Sequence, residues 1–411
     1  LDPGVLEIVG SGTQNVEMLP GGAGEVRFNV ATKSVGTARV QMSVKLLDEE
    51  DAFEDVIPVR ILSSPETVAA YGQTQDAAKE ALEIPGGVVP SFGGLRLELS
   101  STAMVGLGEG ARYLVDYPYG CAEQRASCAL ALILASDLGE AFSLPGIEAG
   151  KLKEISQKTL KELEEYQCSN GGFVYWKGDP CAFASAYLTA YVLHVMQRGV
   201  KLGYTVSPGV LDKGYGFLEA ELNEKKPENE GWWPFYTAWQ SFAAKVLAEG
   251  GRNVDSHLTR LNGYADRMPV FGMCYLHDAM LASGDKSGRA QDLRRRVTNA
   301  ILPEGGTAHV EELKDPYLAW IWSTNARTTA IALGSLVRGG GEDALITPTV
   351  RWLRQVRKKG RWGNTQENAM AMEALVDYYR KYEKEVPDFT AVVALGADTL
   401  VKEPFQGRSA E

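Results

Sequence analysis

The chain has 411 residues, 45% hydrophobic and 23% charged, the composition of an ordinary globular protein and not of a disordered or fibrous one. Its net charge of −11 argues against a nucleic-acid partner, since phosphate binding needs clustered Lys and Arg. No apolar run reaches the roughly eighteen residues a membrane span needs, and the opening LDPGVLEIVG carries no basic-then-apolar leader.

The opening residues begin in mid-strand pattern, so the chain reads as a piece of a longer protein, with any export signal or lipid anchor outside it. Residues 1 to about 100 read as β. Val26, Phe28 and Val30 alternate with polar neighbours, as do Ala38, Val40, Met42, Val44 and Leu46, and later Leu95, Leu97 and Leu99. Gly- and Pro-rich turns separate these runs, as expected of antiparallel β-sandwich material. The acidic run Asp48 to Asp55 lacks calcium-loop spacing and reads as a solvated loop between strands.

After Ser100 the period changes. From about 102 to 383 nearly every segment is an amphipathic helix broken by Gly, Pro or Asn. The helices repeat weakly: stretches beginning at Ala186, Tyr236, Ala326 and Glu367 resemble one another. Turns carrying Gly and an aromatic precede several of them, as in GGFVYW at 171–176, GWWPF at 231–235 and GRWGN at 360–364. Spacings in the forties and fifties fit helical hairpins. About six would fill the span and could close into an α/α toroid. The Trp and Tyr residues of these turns read as packing anchors, and the basic run Arg354 to Arg361 as a solvated helix face. Past Pro387 the pattern reverts to strand at Phe389–Leu395 and Leu400–Val401, which suggests a helical domain inserted into a β domain.

There are five cysteines, Cys121, Cys128, Cys168, Cys181 and Cys274, with no CxxC and no Cys/His cluster, so neither a metal nor another cofactor is expected. Cys128 lies two helical turns after Cys121 and reads as core. Cys168 and Cys181 flank the GGFVYW turn and could pair in an oxidising compartment.

The sharpest local feature is Tyr117-Pro118-Tyr119-Gly120-Cys121-Ala122-Glu123-Gln124, at the head of the first long helical stretch. Residues three apart on a helix meet. A Cys thiolate held against a Gln amide can attack its carbonyl and expel ammonia, leaving an internal thioester that survives only while water is kept out. Tyr117 and Tyr119 could supply that cover, with Pro118 and Gly120 setting the turn. Two other readings stand beside it. Cys121 can be a small core residue that starts a helix, or a nucleophile activated by a helix N-terminus and one of His194, His257, His277 and His309.

The motif PYGC-x-EQ resembles the thioester signature of the alpha-2-macroglobulin and complement family, and GRWGNTQENA at 360–369 resembles the last helical repeat of its bacterial branch. The resemblance implies a thioester between Cys121 and Gln124, flanked by Tyr117, Pro118, Tyr119, Gly120 and Glu123. It implies four segments: the end of a macroglobulin-type β domain (1–62), the first part of a CUB-type β domain (63–100), a thioester α/α toroid (101–385), and the returning CUB-type strands (386–411). The implied function is a covalent protease trap in which lysine amines of the target attack the thioester once per molecule, an inhibitor and not an enzyme. The implied partners are target proteases and adjacent macroglobulin domains, and the implied location is the bacterial periplasm, with membrane anchoring through a missing N-terminus, or the extracellular space. Ala122 departs from the Gly usual in animal members, which points to the bacterial branch. Complement-type members that prefer hydroxyl targets carry a His on a loop facing the thioester. The corresponding stretch, residues 221–236, has none, which implies direct attack by amines. The alternatives are an α/α-toroid enzyme such as a glycoside hydrolase, which needs two carboxylates across a cleft, and a non-reactive binding module of the same fold.

Overall fold

In a computed structural model the described residues are 1–60, 107–138, 149–224, 230–340, 344–383 and 386–406, with scattered positions between 74 and 104. The chain divides into two compact units, Leu1–Val68 and Ala69–Glu411.

In the first unit β1 (Leu6–Val9) pairs antiparallel with β2 (Asn29–Thr32), and β3 (Gly36–Leu46) with β4 (Glu49–Val59). The alternation from Ala38 to Leu46 lies on β3 as expected, but Val26 and Phe28 precede β2. The acidic run is corrected from loop to strand: Glu49 to Asp55 form the first half of β4, paired through Val40↔Asp55 and Val44↔Asp51. Cross-strand polar partners permit this, with Gln41 Nε2 donating to Glu54 Oε2 at 2.8 Å. Among the described residues these strands make two two-stranded sheets, less than the sandwich expected. Leu6 and Ala38 are buried, while Val44, Leu46 and Phe53 are exposed. The strand expected at Leu95–Leu99 is not found: Leu95, Leu97 and Leu99 lie in no strand, and positions 96 and 98 fall outside the described residues.

The second unit is mostly α-helical. Its twelve described helices are α1 (Leu107–Val115), α2 (Ala122–Leu138), α3 (Ala149–Leu163), α4 (Ala186–Lys201), α5 (Val210–Asn223), α6 (Trp233–Glu249), α7 (Asp255–Asn262), α8 (Val270–Ser283), α9 (Arg289–Ala300), α10 (Asn325–Gly339), α11 (Ile346–Gln355) and α12 (Thr365–Tyr382). The even-numbered helices pack in succession, α2 on α4, α4 on α6, α6 on α8, α8 on α10 and α10 on α12, and α12 returns to α2. Each odd-numbered helix packs outside this closed circuit. The sequence explains the division of labour. Inner helices are apolar or small on nearly all sides: Ala129 to Ala135 of α2 are buried without a break, as are Tyr187 to Gln197 of α4. Outer helices such as α9 (RAQDLRRRVTNA) bury one stripe, Ala290, Leu293 and Val297.

Side-chain caps start several inner helices. Ser185 accepts the Leu188 N–H before α4, Thr324 the Arg327 N–H before α10, and Asn364 the Glu367 N–H before α12. One strand pair interrupts the helices, β5 (Ile301–Glu304) and β6 (Thr307–Val310), joined by Gly305-Gly306 with φ of 54° and 81°. After α12, β7 (Asp388–Leu395) and β8 (Asp398–Gln406) pair antiparallel where strand was expected, with the Phe389 and Phe405 rings stacked 5.2 Å apart. The two ends of the helical stretch meet, because Thr102 Oγ1 donates to Glu383 Oε2 at 2.6 Å.

Candidate functional site

The eight-residue motif joins α1 to α2, and Cys121 is the residue just before α2. It occupies the position held by Ser185, Thr324 and Asn364 at other inner helices. Its carbonyl accepts the Arg125 N–H at 2.9 Å, the first bond of the helix. Its sulfur accepts the backbone N–H of Gln124 and of Glu123. Gln124 completes the exchange: its Oε1 accepts the Cys121 N–H at 3.1 Å. This is a capping box with Cys in the cap position and Gln three residues on. Because each side chain bonds the other residue's backbone, the box brings the thiol and the Gln carboxamide to the same helix end.

Cys121 is 7% exposed. Burial raises its thiol above the usual range, against the lowering effect of the Gln124 N–H, and the Glu123 charge raises it further. A protease-type nucleophile needs the opposite, a depressed thiol beside an imidazole. The histidines are engaged elsewhere: His194 with Glu373 and Lys245, His277 with Ser335, and His309 stacked on Trp352, while His257 lies on α7.

The cover over the motif comes from the loop after α3. Tyr166 Oη donates to the Gly120 carbonyl at 2.6 Å, and the Ala122 N–H donates to the Tyr175 carbonyl at 2.9 Å. Tyr166 is buried, and burial raises the Tyr175 phenol above its usual range. Trp322, held at φ 54°, sets its ring 6.2 Å from Tyr175 and 6.0 Å from Tyr187. Sequence reasoning missed these three residues as part of the site, although Tyr175 belongs to the GGFVYW turn. That turn is forced by close approach. Gly171 has φ 88°, and a Cβ there would lie 2.1 Å from the Lys213 carbonyl oxygen. A Cβ on Gly172 would lie 2.7 Å from both Ala184 and Phe217.

The other motif residues separate. Tyr117 is half-buried and meets Tyr113 edge-on at 5.4 Å, while Tyr119 is 65% exposed with its ring edge-on to Tyr117 at 5.8 Å. Pro118 is exposed and Gly120 half-buried. Glu123 points inward and is 1% exposed. It accepts from Ser127 Oγ (2.9 Å), Thr365 Oγ1 (2.9 and 3.0 Å) and Gln366 Nε2 (2.9 Å). These bonds tie the start of α2 to the start of α12. Burial raises the Glu123 carboxyl, opposed by those donors and by Arg327, whose Nε also reaches Gln366 Oε1 at 3.3 Å. Among the described residues no group of three or more His, Cys, Asp or Glu could hold a metal.

Fold and site thus define a helical circuit with a capped Cys-x-x-Gln at one inner helix end. No protein-family model matches the chain. An alpha-2-macroglobulin homolog of Nostoc is 25% identical over 393 residues, covering 93% of this chain and 20% of that protein. Alpha-2-macroglobulin of Salmonella reacted with methylamine matches in fold with a TM-score of 0.62 at 18% identity, over 99% of this chain and 26% of that one. Trypsin-activated alpha-2-macroglobulin of Escherichia coli matches with a TM-score of 0.54 at 22% identity, over 99% and 27%. The chain is thus similar to bacterial alpha-2-macroglobulins in sequence and in fold, and it spans a fifth or less of the length of its first curated relatives.

Proposed function

We propose that this chain is the thioester-bearing part of a protease trap. The Cys121 thiolate attacks the Gln124 carboxamide carbon, ammonia leaves, and a Cys–Gln thioester remains. A lysine amine of the attacking protease later adds to that acyl carbon, an amide forms, and Cys121 departs and is protonated. Each molecule reacts once, so the protein inhibits and does not turn over. The carrying observation is the reciprocal capping of Cys121 and Gln124, which sets nucleophile and electrophile at one helix end in a half-dry setting.

The related Salmonella and Escherichia coli proteins, one reacted with methylamine and one activated by trypsin, support amines and proteases as partners. The missing His in 221–236 supports direct amine attack. With Tyr119 largely exposed, full exclusion of water would fall to a neighbouring macroglobulin-type domain resting on it. The Thr102–Glu383 contact supports insertion of residues 101–385 into a CUB-type domain made of 63–100 and 386–411. An exported, periplasmic protein follows from this reading. The glycoside-hydrolase alternative has no such support: the carboxyls raised by burial, Glu123 and Glu312, are each occupied by several hydrogen-bond donors.

The test is the intact mass of the native chain with and without methylamine, alongside a thiol count. A chain lighter than its sequence by one ammonia, taking up one methylamine and exposing a new thiol at Cys121, supports the trap. A full sequence mass with Cys121 openly alkylated sinks it.

A further inference from the structure

The loop between Tyr166 and Ser185 is held by its own backbone. The Cys168 N–H donates to the Gly172 carbonyl at 2.8 Å, Gly171 N–H to Cys168 O at 3.0 Å, and Val174 N–H to Tyr166 O at 3.1 Å. Cys181 opens a single 3-10 turn, Cys181–Phe183, at the other end of the loop. Asn170 Nδ2 donates to the Cys181 carbonyl at 3.3 Å, and Ser169 Oγ lies 3.7 Å from the Cys181 sulfur. The two ends therefore close on each other, which sets the Cys168 and Cys181 thiols near enough to shift each other's acidity. Both residues are half-buried at the surface, whereas Cys128 and Cys274 are buried in the core.

We propose that Cys168 and Cys181 are a redox pair, closed to an intramolecular disulfide by exchange with a low-molecular-weight or protein disulfide, so that the loop covering Cys121 is stapled. The Cys181 thiolate attacks the reagent disulfide, forming a mixed disulfide and releasing one thiolate. Cys168 then attacks the Cys181 sulfur and releases the second. Two protein thiols are oxidised, the reagent disulfide is reduced to two thiols, and the two protons pass to the departing thiolates. The direction of attack follows from the environment. The neighbouring Cys168 thiol, with Ser169, lowers the Cys181 thiol, while burial and the same pairing raise Cys168.

The staple encloses residues 169–180, and with them Tyr175, whose carbonyl holds the Ala122 N–H beside Cys121. Tying the loop ends narrows the unfolded excursions that would open this side of the site to water.

Incubating the full chain with oxidised glutathione, trapping remaining thiols with N-ethylmaleimide and mapping peptides tests the proposal. The expected result is a chain lighter by two hydrogens, a Cys168–Cys181 linked peptide and reversal by dithiothreitol. Cys168→Ser should stop at a glutathionyl adduct on Cys181, a species the unaltered chain does not accumulate. Either a stable glutathionyl adduct on the unaltered chain or N-ethylmaleimide on both cysteines after oxidant would overturn it. The readout does not involve Cys121, so failure here leaves the thioester reading intact, and loss of the thioester leaves this pair untouched.

Discussion

Gln124 Oε1 accepts the Cys121 N–H at 3.1 Å while the Cys121 sulfur accepts the Gln124 N–H. One exchange of hydrogen bonds thereby serves two ends, capping α2 and juxtaposing thiol and carboxamide. The two can be separated by substitution. Gln124→Glu retains an acceptor at the third helical position and adds a charge that the helix N-terminus favours. Gln124→Ala removes the acceptor and costs about 1 kcal/mol, the usual scale of a cap. The expected outcome is no methylamine uptake by either variant, with a lowered denaturation midpoint in the alanine variant alone. Uptake by the alanine variant would show that the amide of Gln124 is not the acyl source.

Glu123 works across the circuit as well as along its own helix. Glu123→Ala would strand the donors of Thr365 and Gln366 and leave Arg327, fully buried, without its nearby carboxylate. Removing one member of such a buried set costs about 3 kcal/mol or more. Urea denaturation should show that loss, together with faster hydrolysis of the thioester as α2 and α12 loosen. A stability unchanged within about 0.5 kcal/mol would mean that the joint is held by apolar packing alone.

Tyr166 is tied to the motif by one bond, Oη to the Gly120 carbonyl. Tyr166→Phe keeps the ring and deletes the donor, so about 1 kcal/mol is lost. The methylamine reaction should quicken several-fold as the Gly120 turn gains freedom. An unchanged rate would remove Tyr166 from the positioning residues. Gly171→Ala is a harsher probe of the same loop. A Cβ 2.1 Å from the Lys213 oxygen, at positive φ, should cost about 3 kcal/mol and also unseat Tyr175.

Much of this was readable from local pattern. Helix does begin at Leu107 and strand does return at Asp388, and Cys121-x-x-Gln124 is a contact within one helical turn. The Gly305-Gly306 hairpin carried its own turn signal, but Ile301–Glu304 is too short to stand out against flanking helices. Other features depend on closure of the circuit. Glu123 meets Thr365 across 242 positions of sequence, and Tyr166 reaches Gly120 across 46. No spacing rule encodes either. The acidic half of β4 failed for a related reason, since its strand character comes from its partner β3 and not from its own side chains.

Farther along the inner helices, Lys245, only 2% exposed, holds together a second buried set. Its Nζ lies 3.2 Å from His194 Nδ1 and 3.2 Å from Glu249 Oε1, and His194 Nε2 lies 3.0 Å from Glu373 Oε2. Arg198 bridges Glu373 and Asp377, and Arg338 bridges Asp377 and Asp278. Burial alone would raise these carboxyls, but the cations outweigh it, lowering Glu249 to about 2 and taking Glu373 and Asp278 well below their usual range. A carboxyl lowered by folding contributes stability that is present above its unfolded value and lost as pH falls through the folded one. For Glu249 that window runs from about 4.5 down to about 2. Glu123 and Glu312, raised by burial, act in the opposite sense and recover stability on acidification, but they are fewer and hold no cation network. The helical unit should therefore lose stability steadily below pH 4.5, followed by circular dichroism at 222 nm. Lys245→Met should shift the acid midpoint upward and cost about 3 kcal/mol at neutral pH, because two carboxylates and an imidazole lose their shared cation. An unchanged acid midpoint in that variant would mean that the arginines alone set these carboxyls.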